Sequence, residues 1–174
     1  MQTTTLQHDY LLVTARAALQ KHLSGETLNA VQQVEQSKPL FVTLYSRDAD
    51  RLRGCIGHLK ATEDSLEKEV QVCAIASATK DPRMASVTLE ELPKLRIEIS
   101  ILGAEEEVSS VDELDSAVWG ITVRKDRRVG VLLPGINGVD SPQAQLQIAL
   151  KKGGISPDEA FLISRFQISQ FREA

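Results

Sequence analysis

The stretch LRIEISIL, residues 95 to 102, alternates apolar and polar side chains from Leu95 through Ile101. Successive side chains of a strand point to opposite faces, so such a run belongs to a sheet with one buried and one polar face. Two other segments follow the same rule. FVTLYS (41 to 46) alternates, RDAD supplies a turn, and LRGCIGHL follows as the second arm of a hairpin. ITVRKDRRVGVLL (121 to 133) reads as another hairpin, with the cations Arg124, Lys125, Arg127 and Arg128 at its tip. Hairpin-linked strands imply an antiparallel sheet, and the helical segments between them give an α+β class, a sheet flanked by helices.

Three segments carry helical spacing. Residues 6 to 23 place Leu6, Tyr10, Val13 and Ala17, with the 11–12 pair, on an expected inward stripe, and Ser24-Gly25 ends the run. A second helix begins near Thr62 and Ser65 and runs to about Lys80. Leu66, Val70, Cys73, Ala74 and Ser77 mark its inward stripe, Val72, Ile75 and Ala76 widen it, and Glu67, Lys68 and Gln71 read as exposed. Asp81-Pro82 stops it, because a proline disfavours helix in the residue before it. SPQAQLQIALKKGG (141 to 154) has a capping serine, a proline at the first helical position and a Gly-Gly stop. Residues 26 to 38 are polar and Gln-rich, 104 to 116 are acidic and expected to face solvent, and FLISRFQISQF reads as one last strand.

Composition excludes some functions. With 174 residues, 42% hydrophobic and 25% charged, the chain can bury a sizeable core. A net charge of −4 without a dominant basic block argues against a nucleic-acid surface. No apolar run approaches the ~18 residues that a membrane helix requires. The start, MQTTTLQHDY, lacks the plan of a signal peptide, and two cysteines make no disulfide framework. A reducing, cytoplasmic setting is therefore expected.

The chemistry concentrates at residues 51 to 59, RLRGCIGHL. On a regular strand Arg53, Cys55 and Gly57 share one face, and Leu52, Gly54, Ile56 and His58 share the other. A guanidinium two residues from a sulfur favours the thiolate, which is the nucleophile. Gly54 and Gly57 leave room for a substrate or another backbone to approach. His58 points away from Cys55 unless the strand bulges at Gly57. The competing reading is a core cysteine between packing glycines. Asp81-Pro82-Arg83 is a second constellation, either a fork for an anion or an internal pair that pins a turn. Two cysteines 18 positions apart and one nearby histidine fall short of a metal set, so no metal or other cofactor is expected. No nucleotide fingerprint occurs either.

LRGCIG, preceded by FVTL and followed by KDPR, EELPKLRIEISIL, LLP (132 to 134), KKGG and RFQISQF, resembles the AMMECR domain family. These blocks fall in the family's order over nearly the whole chain from about residue 40. The resemblance implies one AMMECR-type domain over 1–174 with two lobes, whose boundary the sequence does not place, and LRGCIG lining a cleft between them. It also implies neighbourhood or fusion with Memo-like and radical-SAM proteins, the AmmeMemoRadiSam set, but it fixes no reaction. Three readings follow. The chain is an enzyme or enzyme component using Cys55 and Arg53, with Gly54, Gly57, His58, Asp81 and Arg83 binding a ligand. It is a partner or scaffold for Memo-like and radical-SAM proteins. Or it is a small-molecule or nucleotide binding module. Met84 stands where a Phe usually follows DPR, and Trp119 where many relatives carry a His, so Trp119 cannot act as that His would with the cysteine.

Overall fold

The computed structural model describes residues 2–28, 30–31 and 35–174, with side chains from residue 6 onward. Part of the Gln-rich stretch, residues 29 and 32–34, lies outside the described residues. The chain divides into two compact units, Met1–Ile101 with Gln170–Ala174, and Leu102–Ser169. The second is inserted between the last two strands of the first.

The first unit holds α1 (Gln2–Ser24), β1 (Leu40–Ser46), β2 (Leu52–His58), α2 (Leu66–Thr79), β3 (Leu95–Leu102) and β8 (Ile168–Arg172). Its sheet runs β2-β1-β3-β8, with β1 antiparallel to both β2 and β3. Leu95, Ile97 and Ile99 of β3 are buried as the alternation predicts, the two isoleucines wholly, but Glu98 and Ser100 of the polar face are buried too and Ile101 is only partly so. Together with Leu40, Val42 and Leu44 of β1 they meet Leu66, Val70 and Cys73 of α2. Helix α2 starts where expected: Ser65 caps it by accepting the Lys68 N–H.

Two helix assignments need correction. In α1 the expected 11–12 pair is buried and continues as Ala15, Ala18 and Leu19, whereas Leu6, Val13 and Ala17 are exposed and Tyr10 lies at the margin. Both stripes fit a 3.6-residue period, and the Leu–Ala face is the one that packs against α2, its small residues allowing close approach. In α2, Glu67 is buried rather than exposed, while Val72 is exposed.

The second unit holds β4 (Glu106–Val108), β5 (Gly120–Lys125), β6 (Arg128–Leu132), α3 (Pro142–Gly153) and β7 (Leu162–Phe166), with sheet order β4-β7-β5-β6. The pairs β4–β7, β5–β6 and β5–β7 are antiparallel. Helix α3 carries its predicted caps: Ser141 accepts the Ala144 N–H, and Gly154 adopts a left-handed conformation at φ 63°. The acidic stretch is not wholly solvent-facing, since it supplies β4 and buries Val108 and Leu114. FLISRFQISQF is two strands, not one. β7 belongs to the second sheet and β8 to the first, with Gln167 between them. At the β5–β6 tip, Arg124 pairs with Glu105 and Arg128 with Glu159, so half of the cationic cluster is neutralised locally. No helix among the described residues is long and apolar enough to cross a membrane.

Candidate functional site around Cys55

Strand β2 is the edge of the first sheet, and its pairing with β1 is not uniform. Leu44 faces Gly54 but Tyr45 faces Leu52, so Arg53 is the extra residue of a bulge. The bulge therefore sits at Arg53 and not at Gly57, and it leaves His58 turned from Cys55. Beyond it the alternation is regular. Gly54, Ile56 and His58 face α2, and Cys55 lies opposite Thr43 on the other face.

The α2 side is closed by contact. A Cβ at Gly54 would lie 2.1 Å from the Ser77 carbonyl oxygen. The glycine thus permits helix and strand backbones to touch. On the Cys55 face, by contrast, a Cβ at Gly57 would lie 2.2 Å from the Leu40 carbonyl oxygen and 2.5 Å from the Phe41 ring of β1. Among the two readings of these glycines, another backbone rather than a ligand occupies the space at Gly54. The Ile56 N–H donates to the Ser77 hydroxyl at 2.9 Å, which ties the strand to the helix again. His58 Nδ1 stands 2.5 Å from Glu69 Oε1, whose carboxylate is fully buried.

The opposite face is polar. Cys55 is partly exposed, and its sulfur accepts a hydrogen bond from Thr43 Oγ1 at 3.3 Å. Thr43 in turn pairs with Glu98 on β3, so Cys55, Thr43 and Glu98 form one row across three strands. Glu98 accepts from Gln170 of β8 at 3.0 Å. Burial raises the Glu98 carboxyl above the ordinary range, with Arg172 and Arg96 opposing and Asp50 adding to the rise. Tyr45, the next residue of β1 on this side, is likewise raised by burial, then by the charges of Glu98 and Cys55.

Asp81 and Arg83 meet this row at the sheet edge. Asp81 is buried and accepts the Cys55 N–H at 2.9 Å, the Arg83 N–H at 3.0 Å, and the Arg83 guanidinium at 2.9 and 2.7 Å. The guanidinium holds the Asp81 carboxyl well below the usual carboxylate range. Asp81 in turn raises Arg83, and the Cys55 sulfur adds to that effect through space. The constellation is thus an internal pair that pins the turn, and its arginine, with a side chain 57% exposed, also acts electrostatically on the thiol.

Arg53 has other partners. Its guanidinium donates to Glu91 at 2.5 and 3.0 Å and to the carbonyls of Ala85 and Ser86. It lines a pocket of about 740 Å³ with Arg47, Arg51, Glu91 and Lys94, and Cys55 is not in that lining. A cation within the electrostatic reach of the sulfur is Arg83, which lies 28 positions on in sequence. Thr43, Tyr45 and Glu98 went unnoticed in the sequence, although the alternation of β1 and β3 places them on a polar face. The strand order β2-β1-β3 is the missing step that brings that face to Cys55. Cys73 differs in every respect. It is wholly buried, and burial, then the Glu69 charge, push its thiol up to about 12.

Comparison with known proteins agrees with this architecture. The family model AMMECR1 matches residues 12–173. A protein of Thermotoga maritima is 41% identical over 133 residues, 76% of each chain. Protein MK0488 of Methanopyrus kandleri is 31% identical over 169 residues, 89% of this chain and 81% of its own. Protein CA_C1420 of Clostridium acetobutylicum is 31% identical over 97% of this chain, which spans only 37% of that relative's length. The crystal structure of uncharacterized protein PH0010 from Pyrococcus horikoshii superposes with a TM-score of 0.85 at 27% identity, covering 94% of this chain and 90% of the other.

Proposed function

The chain belongs to the AMMECR1 family, and on that premise we propose that it is an enzyme component whose working group is the Cys55 thiol. The observation that carries this reading is the setting of the sulfur: partly exposed, bonded by Thr43, and within the field of Arg83. A positive charge beside a sulfur favours the thiolate, the form that attacks an electrophile. Arg83 has donors left to grip an anionic part of the substrate. Glu98 sits two strands over, about 10 Å away at the backbone, and its carboxyl, raised by burial, is the group of this row that could carry a proton. Arg53 serves this reading by holding the bulge against Glu91.

The test is iodoacetamide labelling of the folded protein across pH, resolved by peptide mass spectrometry. Cys55 should label at neutral pH while Cys73 stays silent until the protein unfolds. Labelling of Cys55 no faster than that of Cys73 would remove the basis of the proposal. A second reading has its own support, since a Clostridium relative carries this region as a minor part of a longer chain. That arrangement fits a module serving a partner, and Memo-like and radical-SAM proteins are the partners to try. A Cys55→Ser protein should still co-elute with such a partner if shape alone matters, and failure of the unaltered protein to co-elute would end that reading.

A further inference from the structure

The side of β2 turned from Cys55 ends in a cluster that neither reading uses. His58 closes the strand, and Glu69 and Cys73 stand one helical turn apart on the buried stripe of α2. Their donor atoms Nδ1, Oε1 and Sγ all lie within 4.8 Å of one another. Thr62, in the loop between strand and helix, adds a hydroxyl. A charge-assisted His58–Glu69 bond alone would need only two of these four groups. The sulfur at the fourth position after Glu69 is superfluous to it.

The separations fit a metal polyhedron. Ligands bound to zinc at ~2.0–2.3 Å with tetrahedral angles lie roughly 3.3–3.6 Å from each other. Here Cys73 Sγ is 3.7 Å from His58 Nδ1 and 3.9 Å from Glu69 Oε1. Thr62 Oγ1 is 3.3 Å from His58 Nδ1 and 3.4 Å from Glu69 Oε1. Only the His58–Glu69 contact, at 2.5 Å, is too close, and it must open by nearly an ångström. The histidine is the group able to move, since its side chain is 32% exposed and it ends an edge strand. Glu69 cannot move. Its second oxygen accepts the N–H groups of Thr62 at 2.7 Å and Glu63 at 2.8 Å, which aims the first oxygen at the cluster. Such outer support of a ligating carboxylate is the usual companion of a metal site.

We propose that His58 Nδ1, Glu69 Oε1 and Cys73 Sγ bind one divalent cation of the zinc type, with the Thr62 hydroxyl or a water in the fourth position. A thiolate, a carboxylate and a neutral imidazole match such an ion in charge, and the sulfur selects zinc over magnesium or calcium. Binding breaks the Cys73 S–H bond and releases its proton to solvent. The ion would clamp the end of β2 to α2, on the face opposite the Cys55 thiol. A count of cysteines and histidines alone misses the site because one ligand is a glutamate.

The experiment is titration of chelator-stripped, folded protein with Co²⁺, followed by Zn²⁺. Saturation at one equivalent, with visible ligand-field bands and a near-ultraviolet sulfur-to-cobalt charge-transfer band bleached by Zn²⁺, is expected. Cys73→Ser should abolish the charge-transfer band, and Cys55→Ser should leave it intact. His58→Asn, at a partly exposed position, should weaken Co²⁺ binding by at least roughly tenfold and tests the site even if the Cys73 variant does not fold. Absence of saturable binding by the folded protein overturns the proposal. So does a charge-transfer band lost with Cys55→Ser but kept with Cys73→Ser, or affinity unchanged in His58→Asn.

Discussion

The two faces of β2 are built from alternate residues of one short strand, yet they are organised on opposite plans. Toward α2, Gly54 touches the Ser77 backbone, Ile56 bonds Ser77, and His58 bonds buried Glu69. Away from α2, Cys55 keeps part of its surface and accepts from the Thr43 hydroxyl, in one row with a carboxyl that burial has raised. One face fixes where the strand lies; the other presents groups with chemistry left to do. The signature LRGCIGH is therefore two interleaved signatures, and its Gly54 answers to the first while its cysteine answers to the second.

The sharpest way to break that division is Gly54→Ala. The added methyl would stand 2.1 Å from a helix carbonyl oxygen, and backbone on both sides cannot yield as a flexible side chain would. We expect a loss of ~3 kcal/mol or more in urea unfolding, at the upper end of overpacking costs. A near-neutral result would mean that α2 stands off the strand, and the contrast between the faces would weaken.

Glu69→Gln in metal-free protein probes the same face electrostatically. Burial by itself raises the Glu69 carboxyl, but bonds from His58 and from the Glu63 and Thr62 N–H groups outweigh it, so the net direction is downward. A carboxyl lowered by folding stabilises above its unfolded value, near 4.3, and that stability is lost as pH falls through the folded value. The variant should therefore be weaker than the parent at pH 7, by about 2 kcal/mol, with the gap closing in acid. A gap that does not vary with pH would mean that Glu69 contributes by shape rather than by charge.

Much of this was legible in the sequence, and the losses have physical reasons. β3, the caps of α3 and the end of α2 at Asp81-Pro82 are written in local residue types, and the structure places them within a residue or so of where those types predict. The phase of α1 was not, because two stripes of the same period compete and only the partner surface decides between them. The split of the last strand was not, because residues 161 to 171 contain no Gly, Pro, Asn or Asp to mark a break, while β7 and β8 join different sheets. In the site, the opposite facing of Cys55 and His58 followed from period two alone. The partners of Arg53, Arg83 and Glu69 did not, because each depends on a contact between elements. Nor did Glu98, which reaches the row of Cys55 only through the strand order.

Glu98→Gln tests the open face, and the expected effect is the smallest. Glu98 is raised chiefly by burial, so the folded protein binds its proton more tightly than the unfolded chain does. The sign is then opposite to that of Glu69: the ionised carboxylate destabilises the fold above its raised value, and the penalty vanishes below the unfolded value. Glutamine keeps an oxygen for the Gln170 amide, so the exchange removes charge with little else. The variant should be slightly more stable than the parent at pH 7 and no different near pH 4, as read from urea midpoints. Removing a negative charge from the row should also speed alkylation of Cys55, because the thiolate that reacts is repelled by a neighbouring carboxylate. A loss of stability at pH 7 would show that the attraction of Arg172 and Arg96 outweighs burial. Glu98 would then be a structural anion, and the two faces of β2 would differ less than their burial suggests.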